Sequence, residues 1–125
     1  MKKEEVKDKN LIYIAADPGS IRQDSIIKDG GGVARIEAGK IADELREKGY
    51  SVDLDNNSQT IDEQFRVSVI KNAKILITLK KDMLEEGIVL FWSAGAKKQK
   101  VIAKEHLLEE IEKVMLELNK NGEGK

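Results

Sequence analysis

Ile88-Val89-Leu90-Phe91-Trp92, then Ser93-Ala94-Gly95-Ala96-Lys97-Lys98, then Gln99-Lys100-Val101-Ile102, is the stretch on which the fold turns. The first five residues are apolar and rich in β-branched and aromatic side chains, which suit a pleated, half-buried surface. Gly87 and Gly95 bracket them as turn residues do. The expected structure is strand, short basic turn, strand. A helix should follow, because Leu107, Leu108, Ile111, Val114, Met115 and Leu118 recur at helical spacing.

Upstream, the chain alternates strands and helices. Leu11-Ile12-Tyr13-Ile14-Ala15-Ala16 is a compact apolar run closed by Asp17-Pro18-Gly19-Ser20, as a buried strand would be. A polar loop, Ser20 to Gly32, ends in three glycines. Ala34, Ala38, Ile41, Ala42 and Leu45 then share one helical stripe, and Gly49 stands at the C-cap. Tyr50, Val52 and Leu54 alternate with Ser51 and Asp53, predicting a half-buried strand. After the turn Asp55-Asn56-Asn57-Ser58, Thr60 and Glu63 form a capping-box pattern. Spacing places Ile61, Phe65 and Val69 on the inward face of that helix. Lys74-Ile75-Leu76-Ile77-Thr78-Leu79 is the third strand, and Lys80 to Gly87 a polar connector.

Parallel neighbours need crossovers of a dozen or more residues. The connectors after Leu79 and after Trp92 are shorter, so the last strands should join by hairpins. The expectation is an α/β domain of two or three layers, with a five-stranded mixed sheet in the order β-α-β-α-β-β-β-α. Residues 11–118 form the domain, between flexible tails at 1–10 and 119–125.

Composition narrows the function. The chain has 125 residues, enough for one core without staples. It has no cysteine, hence no disulfide or thiolate metal site. Its one histidine, His106, argues against a zinc site or a histidine-based triad, and no cofactor or metal is expected. Charged residues reach 36%, yet the net charge is only -1, so any nucleic-acid contact must use a local patch. No apolar run approaches the roughly 20 residues of a membrane span, and no signal peptide is visible. A cytoplasmic setting follows as the expectation.

The ordered set of motifs resembles the anticodon-binding domain of class II aminoacyl-tRNA synthetases, closest to the histidyl type, over about residues 34–116. It is carried by Ala38 to Tyr50 with its Leu45-Arg46-Glu47-Lys48-Gly49 ending, by Val52-Asp53-Leu54-Asp55, and by Gln64-Phe65-Arg66. Ile75-Leu76-Ile77 with the acidic connector Asp82 to Glu86, and Lys98-Gln99-Lys100-Val101 leading into Glu105-His106-Leu107-Leu108, complete it. The chain departs from the family pattern at Asp62-Glu63, where basic residues are common, and at Leu79-Lys80-Lys81-Asp82, where a glycine and an acid are common. The resemblance implies a non-catalytic module that binds tRNA or a tRNA-like structured RNA. A protein partner or a homodimer is the alternative use of the same fold.

The candidate RNA-binding residues are Arg66, Lys80, Lys81, Lys97, Lys98, Gln99 and Lys100, since phosphate contacts need cations. In this lysine-rich chain the competing reading is a solvated face. Phe91 and Trp92 point to opposite faces of one strand; one could stack on an unpaired base, while at least one belongs to the core. Gly30-Gly31-Gly32 before a helix could hold phosphate but matches neither a P-loop nor a dinucleotide fingerprint. A looser resemblance, to nucleoside deoxyribosyltransferases and TIR domains, implies a helix through Met83 to Ala94 with Glu85 or Glu86 as nucleophile and Val101-Ile102 as a parallel strand. Otherwise Asp82, Glu85 and Glu86 are an acidic turn in water.

Overall fold

The computed structural model of the chain describes residues 8–17, 30–54 and 60–123. Its strands are β1 (Asp8–Ala16), β2 (Tyr50–Leu54), β3 (Ile75–Leu79), β4 (Ile88–Ser93) and β5 (Lys100–Ala103). Its helices are α1 (Gly30–Glu47), α2 (Ile61–Ile70), α3 (Lys81–Glu85) and α4 (Leu107–Glu123), with a 3-10 turn at Lys104–His106. The five strands lie in the order β2-β1-β3-β4-β5. β1 runs parallel to β2 and β3, and β4 is antiparallel to β3 and β5. The expected mixed sheet and its C-terminal hairpin are present.

The sheet position of each strand explains its sequence. β1 and β3 are inner strands covered on both faces, so each reads as an unbroken apolar run; all five residues of β3 are buried. β4 alternates, with Val89 and Phe91 buried and Ile88, Leu90 and Trp92 only partly so. β5 is a short edge strand whose Lys100 and Val101 are exposed, a form that limits unwanted pairing.

Helices cover the two faces unequally. On one face, the α1 stripe Ala34, Ala38, Ile41, Ala42 and Leu45 and the α4 residues Leu107, Ile111 and Met115 pack with Ile12, Ile14, Ile75, Ile77, Val89 and Phe91. Burying a side chain such as Phe91 contributes about 1.5–3 kcal/mol. On the other face, Tyr13, Ala15, Ala73 and Leu76 form a smaller cluster with Ile61 and Val67 of α2 and Trp92. The domain therefore has three layers. Among the described residues, no helix is long and apolar enough to cross a membrane.

Three boundaries differ from the sequence expectation, one being α4, which runs to Glu123 rather than ending near residue 118. β1 starts at Asp8, pairing with Tyr50 ahead of a register shift, and α1 begins at Gly30, so the three glycines form its first turn. The connector after β3 holds the single-turn helix α3, which Gly87 ends at φ +73°. A Cβ on Gly87 or Gly95 would meet nothing within 4 Å, so backbone conformation rather than crowding favours glycine there. Residues 18–29 of the polar loop and the turn Asp55 to Ser58 lie outside the described residues.

The inward face of α2 is a correction. Phe65 and Val69 are 45% and 62% exposed, and the buried positions are Gln64 and Ser68. The reason lies in β1. Its pairing with β2 runs to Ile14 opposite Leu54, and among the described residues no strand partners Ala16 on that side. The Gln64 carboxamide takes the place of the strand: Ala16 N–H donates to its Oε1 at 2.9 Å, and its Nε2 donates to the Ala16 carbonyl at 2.8 Å. The Thr60 Oγ1 accepts from Glu63 N–H at 3.1 Å, the expected cap, and orients the helix for that contact.

Gln64→Ala would orphan two buried backbone groups and should cost about 2–6 kcal/mol, at 1–3 kcal/mol for each unsatisfied group. Gln64→Glu keeps the acceptor, loses the donor and faces a carbonyl, and should destabilise at least as much at neutral pH. Urea midpoints of the two variants check this; wild-type stability in either would remove the strand-mimicking role.

Candidate nucleic-acid interface

On the α2 side, α2 packs against β1 and β3, and among the described elements no helix lies over β4 and β5 there. A groove of about 270 Å³ opens between α2 and β4, lined by Phe65, Ser68, Val69, Asn72, Ala73 and Trp92. Phe65, Val69 and Asn72 follow one another at helical spacing along a flank of α2. Asn72 adopts φ +61°, a left-handed conformation that asparagine tolerates after a helix. Trp92 forms the opposite wall. Register places it beside Leu76, with the side chain on the face opposite to that of buried Phe91.

The β4–β5 turn is fastened to this groove. Trp92 Nε1–H donates to the Ala96 carbonyl at 3.0 Å, Ala96 N–H to the Ser93 carbonyl at 3.0 Å, and Ala94 N–H to the Lys74 carbonyl at 2.8 Å. Gly95 bends the chain at φ +97°. Lys97, Lys98 and Gln99 follow directly and are exposed. The turn that carries these cations thus also holds the indole.

The other candidate residues fall elsewhere. Ile75 pairs with Ser93, so the basic turn lies at the amino end of β3. Lys80 and Lys81 follow the carboxyl end of β3, about 13 Å away at the usual strand rise. Arg66 is exposed on α2. Lys100 points towards the opposite face: its Nζ lies 2.7 Å from Glu110 Oε2 on α4 and 5.9 Å from the Phe91 ring centroid. The seven residues therefore form no single patch. Phe65, Ser68, Val69 and Asn72 were missed as groove residues. Phe65 and Val69 mimic a core stripe in their spacing, and only the inward demand for Gln64 shows otherwise.

The helical reading of Met83 to Ala94 is overturned. Only Lys81–Glu85 is helical, Ile88–Ser93 is a strand, and β5 is antiparallel to it. Glu85 and Glu86 are exposed. His106 Nδ1 lies 3.3 Å from Glu109 Oε1 in an exposed pair.

The chain belongs to the anticodon binding domain family, whose model matches residues 27–114. Among solved structures it is similar to apo S. aureus histidyl-tRNA synthetase, at 19% identity and a TM-score of 0.61, over 82% of this chain and 26% of that one. It is also similar to the RNA binding domain of threonyl-tRNA synthetase from Cryptosporidium parvum Iowa II, at 13% identity and a TM-score of 0.61, over 84% of this chain and 23% of that one. At such identity the likeness is one of fold, and the chain spans about a quarter of the length of either structure. No curated protein matches the sequence.

Lys100→Ala should lower stability by no more than about 1 kcal/mol, because its pair with Glu110 is partly exposed. Lys97→Ala/Lys98→Ala should change it by less than about 0.5 kcal/mol, as for ordinary surface sites. Urea unfolding of the variants tests the contrast; a larger loss in the double variant would mean that those lysines hold the turn.

Proposed function

We propose that the chain is a non-catalytic RNA-binding module that engages tRNA, or a tRNA-like single-stranded loop, on the α2 side of its sheet. The observation that carries this reading is the aromatic groove between Phe65 and Trp92, set beside the exposed Lys97 and Lys98. Unpaired bases stack on aromatic side chains, and lysines hold the phosphates between them. Gln99 lies in the same turn, and Arg66, exposed on α2 apart from that turn, is proposed as a separate phosphate contact. Lys80 and Lys81 would meet the backbone further along the strand. Lys100 is proposed as a lesser contributor, since Glu110 already neutralises it.

Family membership supports the reading, as does the likeness to a threonyl-tRNA synthetase domain described as RNA-binding. A cytoplasmic location goes with it. The nucleotide-processing alternative loses its catalytic helix. A protein-docking role, with another protein or a second copy, has one observation in its favour: Val69 and Ile70 are 62% and 77% exposed on α2.

Titration with mixed tRNA at about 50 and 200 mM salt tests the proposal. Three or four phosphate contacts predict that affinity falls roughly twenty- to fiftyfold across that range. Lys97→Ala/Lys98→Ala should flatten the log–log slope by about 1.4, at 0.7 for each single-strand contact. No binding at the lower salt would remove the RNA role, and a concentration-dependent dimer in light scattering would then favour docking.

A further inference from the structure

Resting on that RNA-binding role, we infer that the groove is a base-tolerant clamp: it grips unpaired nucleotides by stacking and charge without reading which base they carry. A site enforces identity when its buried polar groups are left unpaired by the wrong ligand. The groove between α2 and β4 keeps few such groups. Trp92 Nε1–H is already donated to the Ala96 carbonyl at 3.0 Å. The Ser68 hydroxyl is donated to the Phe65 carbonyl at 2.6 Å, and Ser68 is only 4% exposed. The backbone N–H groups of Asn72 and Ala73 are donated to the carbonyls of Val69 and Ser68, at 2.9 and 3.0 Å.

Among the described lining residues the donors still free for a base are those of the Asn72 side chain, and the rest of the wall is mainly hydrocarbon and two aromatic rings. Asn72 is exposed. Water replaces any base edge that fails to match an exposed amide, so a mismatch there costs little. Lys97 and Lys98 meet phosphates, which fix position and carry no sequence information. Every base has a π-face, so stacking accepts all four. The occupant that fits this apolar, cation-flanked slot is therefore an unpaired base of any identity within a polyanionic strand.

The protein supplies its own probe, because Trp92 is the only tryptophan in the chain. The full chain is titrated with RNA hairpins that share one stem and carry seven-nucleotide loops of all U, all C, all A or mixed sequence. Fluorescence should be quenched by every loop, with dissociation constants agreeing within about threefold, as stacking-driven binding allows. Fluorescence anisotropy of the same hairpins carrying a 5′ dye reads binding without the indole: Phe65→Ala, at a half-exposed position, should weaken all loops alike while far-UV circular dichroism stays native, and Trp92→Phe should retain both binding and tolerance. A preference above about tenfold for one loop, the size a bidentate base contact gives, would overturn tolerance and leave the RNA role standing. Binding without quenching, and unchanged by Phe65→Ala, would overturn this groove as the site. Absence of binding to every hairpin and to tRNA would overturn the RNA role and the clamp together.

Discussion

The paired hydrogen bonds between the Gln64 carboxamide and the backbone of Ala16 are the constraint on which the functional face depends. A buried, unpaired amide group costs more than an ordinary hydrogen bond returns, so a β1 strand that outruns β2 needs a substitute partner. Gln64 supplies both a donor and an acceptor, as a peptide unit would. That demand sets the rotation of α2 about its axis. With Gln64 and Ser68 turned to the sheet, Phe65 and Val69 must turn away from it, towards the space over β4. The groove is thus a by-product of satisfying the end of a neighbouring strand.

The unequal covering of the sheet completes the arrangement. α1 and α4 close one face around Phe91, while among the described helices α2 alone packs on the other, against β1 and β3. Trp92 stands where that cover stops. Ion pairs sort the cations in the same way. Lys100 is drawn to Glu110, Lys104 to Glu37 and Lys71 to Asp53. The latter two pairs link the turn after β5 to α1, and the end of α2 to β2. Lys97 and Lys98 lie in a tight turn beside the indole. Lysines close in sequence are thereby divided between structural and surface duties.

Most of the fold was legible in the residues. The apolar runs of β1 and β3 announce strands covered on both sides, and the short links after Leu79 and Trp92 leave room only for antiparallel neighbours. The glycines at 87 and 95 mark turns that need positive φ. The orientation of α2 was not legible, because Ile61, Phe65 and Val69 have the spacing of a buried stripe while the true inward residues are polar. Nothing local says that the backbone of Ala16 will be partnered by a side chain of α2. The candidate site was legible in kind and not in place. Sequence proximity joined Lys97 and Lys98 to Lys100, whereas alternation along the strand sends Lys100 towards α4. It could not show that Lys80 and Lys81 lie at the far end of β3.

The strand order also bears on how the chain assembles. β3, α3, β4, β5 and α4 follow one another closely in the chain, so their contacts close short loops. The pairing of Ile12 with Ile75 must close a loop of roughly sixty residues, at a larger entropic cost. The Gln64–Ala16 bonds likewise join residues 48 apart, whereas the indole bond that holds the basic turn spans only four. The rotation of α2, and with it one wall of the groove, therefore hangs on a distant contact, while the turn that carries the lysines is held largely by near ones.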